Sequence, residues 1–244
     1  MSILNIEYNN KQIKELRVKI ENSLISNSKT IKNNKLEQIS TNDLYLLFDL
    51  YDKYVFNNFF ANNFNEPLNF SLSKKMTRAA GKTIVTSRQG SSPSYEIRMG
   101  INFFFQYYLT DSEKKVSGII TTSPLEAFLI VFEHEICHLI EFYKFGNSSC
   151  KKNAFKNMAY KLFKHTDVYH ALPTNSNIAG KVYNLHLGDL VEFEYNSKTL
   201  QGTISNITKR ATVMVKDNKG LYRDNKGYRY AKFYIPLTLL KRIQ

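Results

Sequence analysis

The chain has 244 residues, 43% of them hydrophobic and 23% charged, which suffices for one large or two small packed domains and argues against full disorder. Lys and Arg number 34 against 21 Asp and Glu, a net charge of +13, and such a balance favours polyanionic partners, nucleic acid first. No stretch approaches ~18 consecutive apolar residues, so no membrane span is expected. The first residues carry no basic region followed by an apolar core, so no secretory signal is expected. Two cysteines, Cys137 and Cys150, are too few for a disulfide scaffold. An intracellular, reducing location (cytoplasm, nucleus or nucleoid) is the expectation.

In chain order, Ile13, Leu16, Ile20 and Leu24 stand at helical spacing and predict an amphipathic helix over 11–25. Residues 26–35 are polar and read as a loop. A second helix is expected over 42–61, capped by Thr41 or Asn42, with a dense aromatic row as core. The many asparagines, Asn57-Asn58 among them, read as compositional bias without function. Segments 67–72, 81–86 and 95–99 read as short strands, and 101–109 is open between helix and strand.

Ser123, Pro124 and Glu126 make a helix start: a hydroxyl cap, a proline at the first helical position and a carboxylate able to bond back. This helix is expected to run to Phe145, where Gly146 supplies a left-handed stop. Its apolar residues leave few polar positions, so it is buried on most sides and each polar residue in it needs a reason. Another helix is expected over 152–164. Segment 173–180, PTNSNIAG, has linker composition. Beyond it, short alternating strands over 188–195, 199–207, 211–216 and 227–235 suggest a small closed barrel. Residues 181–244 hold 12 Lys and Arg against 5 Asp and Glu, so the charge is concentrated there.

His134-Glu135-Ile136-Cys137-His138 is an HExxH pattern inside the apolar helix. Residues at i and i+4 share a face, so both imidazoles reach one metal ion, and Glu135 stands beside the open position as general base. Zinc suits this role: it accepts neutral imidazole, has no redox chemistry and lowers the pKa of its water to about 7. With 5 His in the chain, a chance match is expected on the order of half a percent of the time. Burying two histidines and a glutamate in an apolar helix is otherwise costly. His134 and His138 are therefore the metal-ligand candidates and Glu135 the catalytic one. Cys137 points away from the pair and reads as core. Glu141 shares the face of the pair, and either orients a ligand imidazole or is solvated.

HEICH, the preceding IRMGINFFF and the following FKNMAYKLFKHTDVYHAL, together with LYLLFDLYDKYVFNNFF and LNFSLSKKMTRAAGK, resemble the SprT-like (Spartan-type) zinc metalloproteases. The resemblance covers about residues 40–172. It implies an α+β, zincin-like domain with a central HExxH helix and a small sheet, Zn2+ as cofactor, and action on proteins bound or crosslinked to DNA, as in DNA repair. The family usually has a third His at the start of the next helix, in a His-Gly-x-x-Phe context. Aligning Phe155 with that Phe puts Lys151 at the His position. Protonated Lys is a poor zinc ligand, whereas the neighbouring Cys150 is a good one as thiolate, so Cys150 is the candidate third ligand. His165 and His170 are its rivals. A helix running from the metal would carry His165 about 20 Å away, and both histidines otherwise read as structural hydrogen-bonding groups.

The C-terminal piece resembles small SH3-like barrels of the Tudor/KOW sort in HLGDLVEFEY, GTISNITKRATVMV and FYIPLTLLKRI. That implies binding of nucleic acid or protein segments. Lys209, Arg210, Arg229 and Lys232, interleaved with Tyr222, Tyr228 and Tyr230, are the candidate nucleic-acid contacts. A solvated basic face is the plainer alternative. The expected organisation is an N-terminal helix and loop over 1–39, a metalloprotease domain over 40–172, a linker over 173–180 and a barrel over 181–244. The expected function is a zinc-dependent endopeptidase acting on DNA-associated protein. The alternatives are a non-catalytic nucleic-acid-binding protein with a structural or vestigial zinc, and a metallopeptidase unrelated to nucleic acid. The sequence leaves the oligomeric state open.

Overall fold

A computed structural model describes residues 3–87, 90 and 92–243. It divides into two compact units, Met1–Leu172 and Pro173–Gln244. The whole is mixed α+β, with a C-terminal antiparallel sheet. Among the described residues, no helix is long and apolar enough to cross a membrane.

The first unit opens with α1 (Asn10–Asn27), started by a capping box between Asn9 and Gln12. Ile13, Ile20 and Leu24 are fully buried in the unit's core, so α1 belongs to this unit and is not a separate arm. Helix α2 is Thr41–Tyr54, and the short α3 is Phe59–Asn63. The expected single helix over 42–61 is broken because Asn57 and Asn58 take φ values of 53° and 58°. Asparagine tolerates that left-handed conformation better than most residues. The Asp52 carboxylate then accepts the N–H groups of Phe60 and Ala61, each at 2.8 Å, and holds the corner. Asn57-Asn58 thus has a structural role that composition did not suggest.

Strands β1 (Leu68–Ser73), β2 (Gly81–Thr86) and β3 (Ser94–Gly100) form a sheet in the order β1-β3-β2. β3 runs parallel to β1 and antiparallel to β2, which leaves β2 at an edge. Segment 101–109 resolves into α4 (Asn102–Phe105) and a 3-10 turn, Tyr107–Leu109. A hairpin follows that the sequence reading passed over, β4 (Lys114–Val116) and β5 (Ile119–Thr121). Its turn residues Ser117 and Gly118 both have positive φ, 49° and 83°, as a two-residue hairpin turn requires.

Helix α5 (Pro124–Phe145) starts and stops where the sequence predicts, although Glu126 accepts the Thr122 N–H at 2.8 Å rather than bonding back to the cap residue Ser123. Ser123 Oγ accepts the Glu126 N–H at 3.1 Å, and Gly146 has φ 71°. It runs through the core, buried at most positions. Helix α6 (Asn153–Phe163) ends at Lys164 in the left-handed region, and the chain then turns back. Segment 166–171 is pinned to the β4–β5 hairpin: Thr166 and Asp167 donate to the Ser117 carbonyl, Ser117 to Tyr169, and Ala171 to Lys115.

In the second unit, Thr174 and Asn177 form a capping box that starts α7 (Asn175–Tyr183). Segment 173–180 is therefore not an extended linker. Ala179 is fully buried in the core of this unit, so the segment folds with it. Strands β6 (Leu190–Tyr195), β7 (Lys198–Ile207), β8 (Arg210–Lys216), β9 (Tyr222–Arg223), β10 (Arg229–Pro236) and β11 (Lys241–Arg242) pair antiparallel in the order β11-β6-β7-β8-β10-β9. Val191, Phe193, Ile204, Val213 and Ile235 form the core.

Candidate metal centre

One turn of α5 separates His134 from His138, and their Nε2 atoms approach to 3.2 Å. Two nitrogens sharing one tetrahedral ion at about 2.0 Å stand roughly 3.3 Å apart, so the pair is already at ligand spacing. The loop from Gly146 brings in Cys150, and the donor atoms of His134, His138 and Cys150 all lie within 4.8 Å of one another. Two imidazole nitrogens and a sulfur form a donor set able to hold a metal ion. Phe155, fully buried at the start of α6, packs its ring 4.4 Å from that of His138 and 4.9 Å from that of His134. It fixes both imidazoles from behind.

Hydrogen bonds determine how His138 presents itself. Ser148 Oγ donates to Glu141 Oε2 at 2.6 Å, so its lone pair faces His138 Nδ1, also at 2.6 Å. His138 therefore carries its proton on Nδ1 and turns a bare Nε2 toward His134. Glu141 acts on the imidazole through this serine rather than directly, and it also accepts the Ser149 N–H at 3.1 Å. Burial lowers His134 to about 2, with the neighbouring histidines adding to the effect, and lowers His138 to about 4. Both imidazoles are thus neutral, as ligation requires. Burial also pushes the Cys150 thiol up, against the pull of Lys151. A bound cation reverses that effect and favours the thiolate.

Glu135 lies beside the histidines, buried, with Oε2 accepting a hydrogen bond from Thr83 Oγ1 at 2.8 Å. Burial raises its carboxyl to about 7, against the lowering effect of Thr83. Its neighbour across the gap is Gly81 of β2. A Cβ there would fall 2.6 Å from Glu135 Oε1 and 2.7 Å from Cγ. The missing side chain leaves the carboxylate its place. These groups line one cavity of about 470 Å³, together with Arg78, Lys82 and His170.

The sequence reading missed Gly81 and Thr83, which lie about fifty residues from the motif. It also missed Glu133, the other acid in the middle of α5. Glu133 is fully buried, and Arg17 of α1 grips it through Nε at 2.8 Å and Nη2 at 2.7 Å. Tyr51 donates to it at 2.9 Å, and His165 Nε2 lies 2.9 Å from its other oxygen. Burial would raise the Glu133 carboxyl, but Arg17 and His165 hold it below its usual range. His165 is thus bound to Glu133 and is outside the donor set. His170 lines the same cavity, with its ring 4.9 Å from that of His134. Cys137 is fully buried.

In the second unit the four basic candidates do not form one cluster. Arg210 opens β8 opposite Pro236, whereas Arg229 begins β10, seven residues before Pro236, or about 23 Å at strand rise. Lys209 adjoins Arg210 at that far end. Arg229 pairs with Arg223 across β9 and β10. On the alternate face of β10, Lys232 Nζ sits 3.7 Å over the Tyr222 ring, and Lys216 Nζ lies 5.0 Å from the Tyr228 ring centroid. This end of the sheet presents cations and aromatic rings together.

Comparison of the chain with family models, with curated proteins and with solved structures finds no match.

Proposed function

We propose that this protein is a zinc-dependent endopeptidase of the SprT-like type that acts on proteins held on nucleic acid. The observation that carries the proposal is the placement of Glu135: a buried carboxylate, held on one oxygen by Thr83, in the same cavity as two imidazoles and a thiol at ligand spacing. His134, His138 and Cys150 would hold the ion. Zinc bound there would supply a Lewis acid able to acidify a water and polarise a peptide carbonyl. Glu135 would take a proton from the attacking water as its oxygen bonds to the carbonyl carbon, and return it to the departing amine nitrogen. Ser148 and Glu141 hold His138 in the tautomer that ligates. The sequence resemblance to the SprT-like proteases points the same way.

The nucleic-acid part rests on charge and on the cation–aromatic end of the second sheet. Lys216 and Lys232 would meet phosphates, while Tyr222 and Tyr228 would stack on bases. One experiment tests both parts. The zinc-loaded chain is incubated with a basic DNA-binding protein, with and without single-stranded DNA, beside Glu135→Gln. Cleavage that requires Glu135 and rises with DNA is expected. Absence of cleavage with zinc verified as bound would instead favour a non-catalytic binding protein with a structural metal.

A further inference from the structure

His170 is unexplained by the chemistry above. Its imidazole lines the cavity that holds Glu135 and the three donor residues, and its ring stands edge-on to that of His134. Nevertheless His170 is not a member of the donor set, which comprises His134, His138 and Cys150. Its Nδ1 is buried, so Nε2 is the ring nitrogen left to meet a ligand in the cavity.

The backbone around His170 is firmly held. Val116 of β4 forms an isolated antiparallel bridge with it. Ser117 donates to the Tyr169 carbonyl at 2.9 Å, and Ala171 donates to the Lys115 carbonyl at 2.8 Å. The imidazole is thus presented by a braced segment into the cavity that Gly81 and Thr83 of β2 also line. A rigid placement of this kind is what a donor aimed at developing charge requires.

Resting on the peptidase proposal, we infer that His170 is a catalytic residue that donates a ring N–H to the scissile carbonyl oxygen as that oxygen becomes an oxyanion. The step needs no further reactant. The water oxygen bonds to the carbonyl carbon, the carbonyl π pair moves onto oxygen, and the water proton goes to Glu135. His170 keeps its own proton and shortens its hydrogen bond as charge grows. The C–N bond then breaks, and Glu135 delivers the proton to nitrogen. His170 thereby discriminates the transition state from the bound substrate, which raises kcat rather than affinity.

The test compares wild type, His170→Ala, His170→Gln and Glu135→Gln as full-length, zinc-loaded proteins on unfolded casein. Zinc content and the visible spectrum of the cobalt-substituted forms are read beside the kinetics. His170→Ala is expected to keep zinc and the cobalt spectrum, hold KM within about threefold and lose kcat by about 10²-fold. His170→Gln, which keeps an N–H donor and most of the side-chain volume, is expected to regain part of that loss. It also serves where the alanine variant fails to fold. Unchanged kcat in both variants would overturn the inference, as would lost zinc or an altered cobalt spectrum, which would make His170 a ligand. Wild type that cleaves nothing would remove the peptidase proposal itself. Wild-type cleavage abolished in Glu135→Gln but intact in His170→Ala would remove only the role given to His170.

Discussion

Gly81→Ala adds one methyl group to the wall facing Glu135. The new Cβ would stand 2.6 Å from Oε1, 2.7 Å from Cγ and 2.9 Å from Cδ, whereas non-bonded carbon atoms prefer about 3.5–4.0 Å. Something must move by roughly 0.8 Å. Gly81 is held in register opposite Met99 in the antiparallel pairing of β2 with β3. The Glu135 backbone is likewise fixed in the middle of α5. The carboxylate is therefore the part that yields, and moving it strains the Thr83 hydrogen bond. Overpacking of this size costs about 1–3 kcal/mol of stability, and a misplacement near 1 Å costs about 10²-fold in rate. Gly81→Ala should thus stay folded and keep zinc, because His134, His138 and Cys150 are untouched, while its kcat falls about a hundredfold. Zinc content, a thermal melt and casein cleavage on one preparation read all three. Wild-type kcat in a folded, zinc-loaded Gly81→Ala would refute the claim that this wall positions the base.

Other expectations follow from particular contacts. Arg17→Met leaves the fully buried Glu133 with only Tyr51 and His165 as partners. Removing one member of a buried pair costs about 3–5 kcal/mol, so a thermal melt should drop by about 10 °C. A melt within about 2 °C of wild type would contradict that role for the pair. Cys150→Ser replaces a thiolate donor by a weak hydroxyl one. The cobalt form should lose its sulfur-to-metal charge-transfer absorption and zinc should bind at least tenfold more weakly; an unchanged absorption would exclude Cys150 from the site. Asp43 has a pH signature. Burial pushes its carboxyl up, but hydrogen bonds from Ser28, Thr30 and Ser40 prevail and hold it below its ordinary value. A depressed carboxyl stabilises the fold above its unfolded pKa, and that stability is lost as pH falls through the folded value. The stability gap between wild type and Asp43→Asn in urea melts should therefore be wide at about pH 7 and narrow toward about pH 3. A gap independent of pH would contradict it.

Local signals in the sequence were readable because their physics is local. Ser123, Pro124 and Gly146 mark both ends of α5 within a residue or two, and the i, i+4 spacing of His134 and His138 is a property of the helix itself. Cys150 was reached by ligand chemistry, and the fold brings its sulfur to the histidines. What was not readable depends on contacts across the chain. Glu133 finds Arg17 over more than a hundred residues, and Glu135 finds Gly81 and Thr83 on strand β2. Nothing in the neighbourhood of any of them announces the contact. A straight path along α6 leads away from the metal, which counts against His165, and His170 reads as a structural hydrogen-bonding group. The left-handed Lys164 and the β4–β5 hairpin turn the chain back. The Thr174/Asn177 capping box was present in a segment whose polar composition suggested a linker. Asn57-Asn58 shows the same error from the other side, since a residue type favoured by composition also made a required turn.

The most direct measurement is metal content and peptide cleavage on the same preparations of wild type and Glu135→Gln. Both proteins should carry zinc to the same extent, and only wild type should cleave unfolded casein. Equal cleavage by both, or a wild-type protein that takes up no zinc, would contradict the assignment of His134, His138 and Cys150 as the metal site and Glu135 as its base.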